Sequence, residues 1–184
     1  MTMRNHLGPF GSLVLAAGLL LFGQLASAAE SGPPTIAVLG FDLVDDHPDP
    51  GRADLLRSRL SAITKQLEQG LHDRALYRVL DTAAAQDLIE AQRARNEFLY
   101  RCNNCLAEVG QRLGTRLVAV GWVQRVSELI LNINVSVQDA QTGVEVLSKS
   151  VDLRGNTDET WTRGMNFMLR DWAERRAGNP RYGF

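Results

Sequence analysis

Hydrophobic and polar positions change period along this chain, and each change marks an element. Thr35-Ile36-Ala37-Val38-Leu39-Gly40-Phe41 is almost continuously apolar and rich in strand formers, as in a strand covered on both faces. An acidic, proline-punctuated loop follows from Asp45 to Gly51. Leu56, Leu60, Ile63 and Leu67 then recur at helical spacing, predicting a helix over 53–69 with one buried stripe and Gly70 as its stop. Tyr77-Arg78-Val79-Leu80 reads as a second strand. Asp81 or Thr82 is placed to cap the next helix, which is expected to reach Phe98 or Leu99. A short helix starts near Cys105, carries Leu106, Val109 and Leu113 on one side, and ends at Gly114.

The period then drops to two. Leu117 to Val123 is apolar, and Leu129, Leu131, Ile133, Val135 and Val137 alternate with Ile130, Asn132, Asn134, Ser136 and Gln138. Such a strand buries one face and wets most of the other. A turn at 139–143 leads to a third strand over 144–153, where the apolar phase slips between Val146 and Leu147 and predicts a bulge. Trp161, Met165, Met168 and Trp172, at i, i+4, i+7 and i+11, form the core seam of a closing helix. Asn156 and Glu159 are spaced like its capping box, and the tail 177–184 is expected to fray. The order β-α-β-α-α-β-β-β-α predicts an α/β fold over 35–176: a mixed β-sheet with a C-terminal three-stranded meander and helices packed on it.

The amino terminus changes the setting. Arg4, an apolar run from Leu13 to Phe22, and Ala26-Ser27-Ala28 read as a cleaved secretory signal peptide over 1–28, with 29–34 as a lead-in. The run is shorter than the ~20 residues of a spanning helix, and no cysteine near the cleavage site offers a thiol for a lipid anchor. The expected location is the periplasm of a Gram-negative bacterium, with no membrane span after cleavage. Among 184 residues, 20 basic side chains balance 21 acidic ones, without the basic stripe of a nucleic-acid partner.

Candidate chemistry is sparse. Cys102-Asn103-Asn104-Cys105 is the leading motif, and three readings stand beside one another. The pair is a structural disulfide, a thiol–disulfide exchange centre, or half of a metal site. The aromatic residue and proline familiar from exchange centres are missing, and the helix opens at the second cysteine rather than the first. Asp45, Asp46 and Asp49 offer oxygen to a hard cation, but they lack EF-hand spacing and equally suit the dipole of the following helix. His47 and His72 have no nucleophile elbow to serve and read as surface residues. No cofactor and no catalytic residue is expected. Asn132, Asn134, Ser136 and Gln138 form an uncharged polar row suited to a partner surface. A meander strand at a sheet edge is also able to accept a partner strand.

Two resemblances add to this. Val109-Gly110-Gln111-Arg112-Leu113-Gly114, the strand ending near Gly121, and the turn Asp139-Ala140-Gln141-Thr142-Gly143 resemble the amino-terminal domain of TolB and the periplasmic domain of CsgG. Cys102-Asn103-Asn104-Cys105, Gly121-Trp122-Val123-Gln124 and Leu131-Asn132-Ile133-Asn134 resemble a proteobacterial secreted family of unknown function, the one numbered thirty-two-eighty. The chain has neither the lipobox nor the long amphipathic hairpins of CsgG, so pore formation is not expected. The resemblance implies a non-enzymatic protein-binding or accessory module with an envelope or periplasmic protein as partner. The alternatives are a periplasmic thiol–disulfide oxidoreductase using Cys102 and Cys105, or a ligand or metal carrier accessory to a quinoprotein dehydrogenase system.

Overall fold

The computed structural model describes residues 32–184, so the expected signal segment and the start of the lead-in lie outside the described residues. Five strands form one sheet in the order β2-β1-β3-β4-β5: β1 Thr35–Asp45, β2 Arg78–Leu80, β3 Leu117–Arg125, β4 Ile130–Asp139 and β5 Glu145–Arg154. β1 runs parallel to β2 and β3, while β3, β4 and β5 form the antiparallel meander. The helices are α1 Ala53–Asp73, α2 Gln86–Arg95, α3 Cys105–Leu113 and α4 Asp158–Gly178. The α/β class, the mixed sheet and the order of elements agree with the sequence expectation.

The faces explain the patterns. α1 and α4 cover one face, where Ile36, Val38, Leu131, Ile133, Val135 and Val137 meet Leu67, Trp161, Met168 and Trp172. α2 and α3 cover part of the other, where Ala37, Leu39, Val118 and Val120 meet Ile89, Leu106 and Val109. β1 is therefore apolar on both sides, while β4, with helices over one side alone, alternates. Each large side chain of the α4 seam is buried, a contribution of about 1.5–3 kcal/mol apiece.

Several boundaries differ from expectation. Gly70 does not stop α1, which continues to Asp73. A Cβ at Gly70 would collide with the Leu169 side chain of α4, so this glycine lets two helices approach closely. α2 ends at Arg95, short of Phe98, and a 3-10 turn spans Leu99–Arg101. The capping box of α4 is built by Thr157 and Thr160 rather than Asn156 and Glu159. Asn156 Oδ1 instead accepts from Trp161 Nε1 at 2.9 Å and Arg59 at 2.9 Å. The terminal residues carry tertiary contacts: the Tyr77 hydroxyl donates to Gly183 O at 2.6 Å, and the Arg176 guanidinium covers the Phe184 ring at 4.0 Å. The expected bulge is present, since Val137 faces Leu147 and Gln138 faces Glu145, leaving Val146 as the extra residue.

Candidate functional site

A second bulge sets up the surface of interest. Val38 pairs with Ala119 and Phe41 with Gly121, so two residues of β1, Leu39 and Gly40, lie opposite Val120. Gly40 takes a φ of +81°, which an L side chain rarely adopts. The extra residue reverses the phase of the strand. Phe41 returns to the α1–α4 face, against Gly121, and Asp42 turns to the opposite face. There the buried Asp42 carboxylate accepts the Leu99 main-chain N–H at 2.8 Å and pairs with Arg93. Arg93 also donates to Leu39 O at 2.7 Å.

These bonds fasten the α2–α3 connector to the sheet. Leu99 is buried, and its neighbours Phe98 and Tyr100 are left half-exposed along the surface. Tyr100 stacks on Trp122 of β3, with centroids 4.2 Å apart and planes 11° apart. Phe98 lies beside Tyr100 at 5.6 Å. The Arg101 guanidinium sits 5.5 Å from the Phe98 ring centre and 5.2 Å from that of Tyr100, in cation–π range of both. The three rings form a shelf.

Cys102 and Cys105 stand at the far end of the same connector. Their Cα atoms are 5.7 Å apart and their Sγ atoms lie within bonding distance. Asn104, between them, takes a left-handed φ of 70° to open α3. Cys105 is buried against Gln92, whose Oε1 is 3.0 Å from Cys105 Sγ, and Asn96 Nδ2 approaches the same sulfur at 3.6 Å. The arrangement closes the connector immediately before the helix that packs on β3.

The polar row lies next to the shelf. Asn132, Asn134, Ser136 and Gln138 point away from α1 and α4, and Trp122 pairs with Asn134 in register. Across β5, Asp152, Ser150 and Ser148 pair with Asn132, Asn134 and Ser136, and all three are exposed, so this part of the face is open to solvent. Asn132 Nδ2 donates to Asp152 at 2.7 Å, Ser150 donates to Asn132 Oδ1 at 2.9 Å, and Gln138 donates to Gly143 O at 2.9 Å. β4 has neighbours on both sides, so its backbone has no edge to offer; of the row's side chains, Asn132, Ser136 and Gln138 are half-exposed and Asn134 is buried. The edge strand of the meander is β5, and β2 forms the opposite edge of the sheet.

The remaining sequence candidates are dispersed. Asp45 pairs with the buried Arg125 at 2.9 Å, Asp49 accepts from Gly51 N at 2.9 Å as the cap of a turn, and Asp46 is exposed. No group of three or more metal-ligating side chains occurs among the described residues. His47 and His72 are exposed. The turn aspartate Asp139 is buried, which alone would raise its pKa. Hydrogen bonds from Arg116 and from the main-chain N–H groups of Gln141 and Thr142 outweigh that and hold the carboxyl below the usual carboxylate range.

Sequence reasoning missed Asp42, Arg93 and the shelf. A signal was present: Trp122 occupies the outward phase of β3, where Leu117, Ala119 and Val123 point to the main core. A large aromatic residue on a strand's outward phase marks either a covering element or a binding surface.

No helix of the described residues is long and apolar enough to cross a membrane. Among solved structures, the fold is similar to the LpoB C-terminal domain from Salmonella enterica, at 10% identity over 69% of this chain and 87% of that one, with a TM-score of 0.48. It is similar also to a point variant of the PelC dodecamer from Paraburkholderia phytofirmans, at 13% identity over 75% of this chain and 87% of that one, with a TM-score of 0.45. TolB from Acinetobacter baumannii aligns at 14% identity over 80% of this chain and 29% of that one, with a TM-score of 0.45. No curated protein matches the sequence. The DUF3280 family model, described as "Protein of unknown function (DUF2380)", matches residues 34–172. The chain belongs to the DUF3280 family.

Proposed function

We propose that this protein is a non-enzymatic accessory module of the bacterial envelope. It is exported to the periplasm by residues 1–28 and binds a protein partner there. The Cys102–Cys105 pair serves as a structural disulfide that holds the α2–α3 connector in its docked form. The observation that carries this reading is the half-exposed Phe98–Tyr100–Trp122 stack bordering the open polar face of β4 and β5. Rigid aromatic side chains lose little entropy when covered, and they anchor protein interfaces out of proportion to their number. The neighbouring amide and hydroxyl groups supply hydrogen bonds without the desolvation cost of charges.

The test is site-specific photo-crosslinking in cells producing the full chain. A photoreactive residue at Ser148, on the open face, is expected to yield a discrete adduct. The same residue at Ser61 on exposed α1 is expected to yield none. The partner recovered is then purified and titrated against the wild-type chain and Trp122→Ala, with about tenfold weaker binding expected for the variant. Equal adducts from both faces, or undiminished binding by Trp122→Ala, would overturn the assignment. Amino-terminal sequencing of the periplasmic fraction is expected to begin at Ala29.

A further inference from the structure

The edge of the sheet away from β2 has no neighbour among the described residues. Gly155 N–H donates to Leu129 O, and Arg154 lies opposite Ile130 in register. The antiparallel alternation therefore directs the main-chain groups of Leu153, Val151 and Lys149 towards β4, and those of Arg154, Asp152 and Ser150 outward. Proteins blunt such edges with prolines, bulges or covering elements. Residues 147–154 contain no proline, and the bulge at Val146 lies beyond them.

Helix α4 turns this edge into a groove of about 650 Å³, lined by Ser150 and Asp152 of β5 and by Arg163, Phe167 and Arg170 of α4. Phe167 is 52% exposed, and the Arg170 guanidinium lies 5.5 Å from its ring centre. Arg163, Phe167 and Arg170 stand at i, i+4 and i+7, a single stripe about 10 Å long at ~1.5 Å per residue. Two carboxylates stand nearby, and each has a partner: Glu159 lies 3.3 Å from Arg163, and Asp152 accepts from Asn132. Arg154 adds a third exposed guanidinium at the strand's end. The groove therefore presents an unpaired strand edge, an apolar ring, and cations on either side of the ring.

We propose that the β5 edge accepts an extended segment of a partner protein as an added strand, with the pattern acid-x-apolar-x-acid. Alternate residues of a strand lie about 6.8 Å apart on one face. An apolar side chain over Phe167 thus places acidic side chains two residues away on either side, within reach of the flexible Arg163 and Arg170. Main-chain hydrogen bonds to β5 supply affinity and the charged stripe supplies register. This surface is separate from the aromatic shelf, and its assignment does not depend on that one.

The test is a selection of random dodecapeptides on the full-length chain. Enrichment of the acid-x-apolar-x-acid pattern is expected, with none on Ser150→Pro, because proline at an outward N–H removes the donor yet is tolerated on an edge strand. Arg163→Glu with Arg170→Glu is expected to weaken the selected peptide about tenfold, and a peptide with lysines in place of its acids to regain affinity for that variant. Methylating the peptide's main-chain nitrogens at alternate positions is expected to abolish binding, a readout that does not depend on how Ser150→Pro folds. Failure to enrich a pattern, enrichment without acids, or binding indifferent to N-methylation would overturn the proposal. So would a concentration-dependent dimer lost in Ser150→Pro, which would assign the edge to a second copy of this chain.

Discussion

Tyr100 lies flat on Trp122, joining a residue of the α2–α3 connector to one on the outward phase of β3 at a centroid distance of 4.2 Å. The pair does two things at once, locking the connector and exposing the flank of both rings. A double-mutant cycle with Tyr100→Ala and Trp122→Ala, read by urea denaturation, is expected to return a coupling energy of about 0.5–1.5 kcal/mol. Additive effects would mean that the two rings are adjacent without supporting one another.

The connector also depends on Asp42. Its carboxylate takes the Leu99 N–H and the Arg93 guanidinium in a buried setting. Asp42→Ala leaves that N–H unpaired and removes the partner of Arg93, for an expected loss of about 2–4 kcal/mol. Asp42→Asn retains one acceptor and is expected to fall between wild type and Asp42→Ala. Denaturant midpoints at equal slope are the measurement, and a loss confined to a few tenths of a kcal/mol would dissociate Asp42 from connector docking.

The cysteine pair closes a very short loop, so the chain-entropy term is small, about 2 kcal/mol. Cys102→Ser with Cys105→Ser is expected to lower stability by about that amount while leaving the sheet intact by circular dichroism. The reduction potential of the pair is expected below about −300 mV, the range of structural disulfides. A value between roughly −120 and −230 mV would place it among exchange centres and favour the oxidoreductase alternative.

How far the sequence carried these conclusions depended on whether a feature was local. The apolar phases of β1 and β4 and the Trp161–Trp172 seam follow from a single period, and their elements lie where the pattern places them. Gly70 shows the limit: near a helix end, a glycine admitting another helix has the same sequence signature as a glycine ending its own. The capping residues of α4 shifted by one, because Asn156 is engaged with Trp161 and Arg59, a choice made by tertiary packing. The contacts of the tail were illegible for a similar reason, since its anchor on Tyr77 lies far away in sequence, joined by Arg176 from the end of α4. At the site, the polar row was legible as an alternation. The shelf beside it was not, because it needs the Gly40 bulge, the Asp42 tether and the connector together.

The turn between β4 and β5 gives the chain a defined response to acid. Asp139 accepts from Gln141 N–H at 2.9 Å and Thr142 N–H at 3.2 Å, and its other oxygen accepts from Arg116 Nε at 2.5 Å. Burial opposes ionisation, but these donors outweigh it, so the folded-state pKa lies below the unfolded one of about 4. A depressed carboxylate pKa contributes stability that is complete above the unfolded value and is lost as pH falls through the folded value. Asp139→Asn keeps an acceptor for the turn but loses the charge that Arg116 reads. The exposure of Arg116 limits that loss through solvent screening. At pH 7 the variant is expected to be about 1–2 kcal/mol less stable than wild type. Urea midpoints measured from pH 7 to pH 2 are expected to converge below about pH 4, with the gap closing on the acid side only. A gap that stays constant across that range would show that the charge of Asp139 does not contribute. A gap that widens in acid would show that the folded state holds Asp139 protonated, with burial prevailing over its three donors.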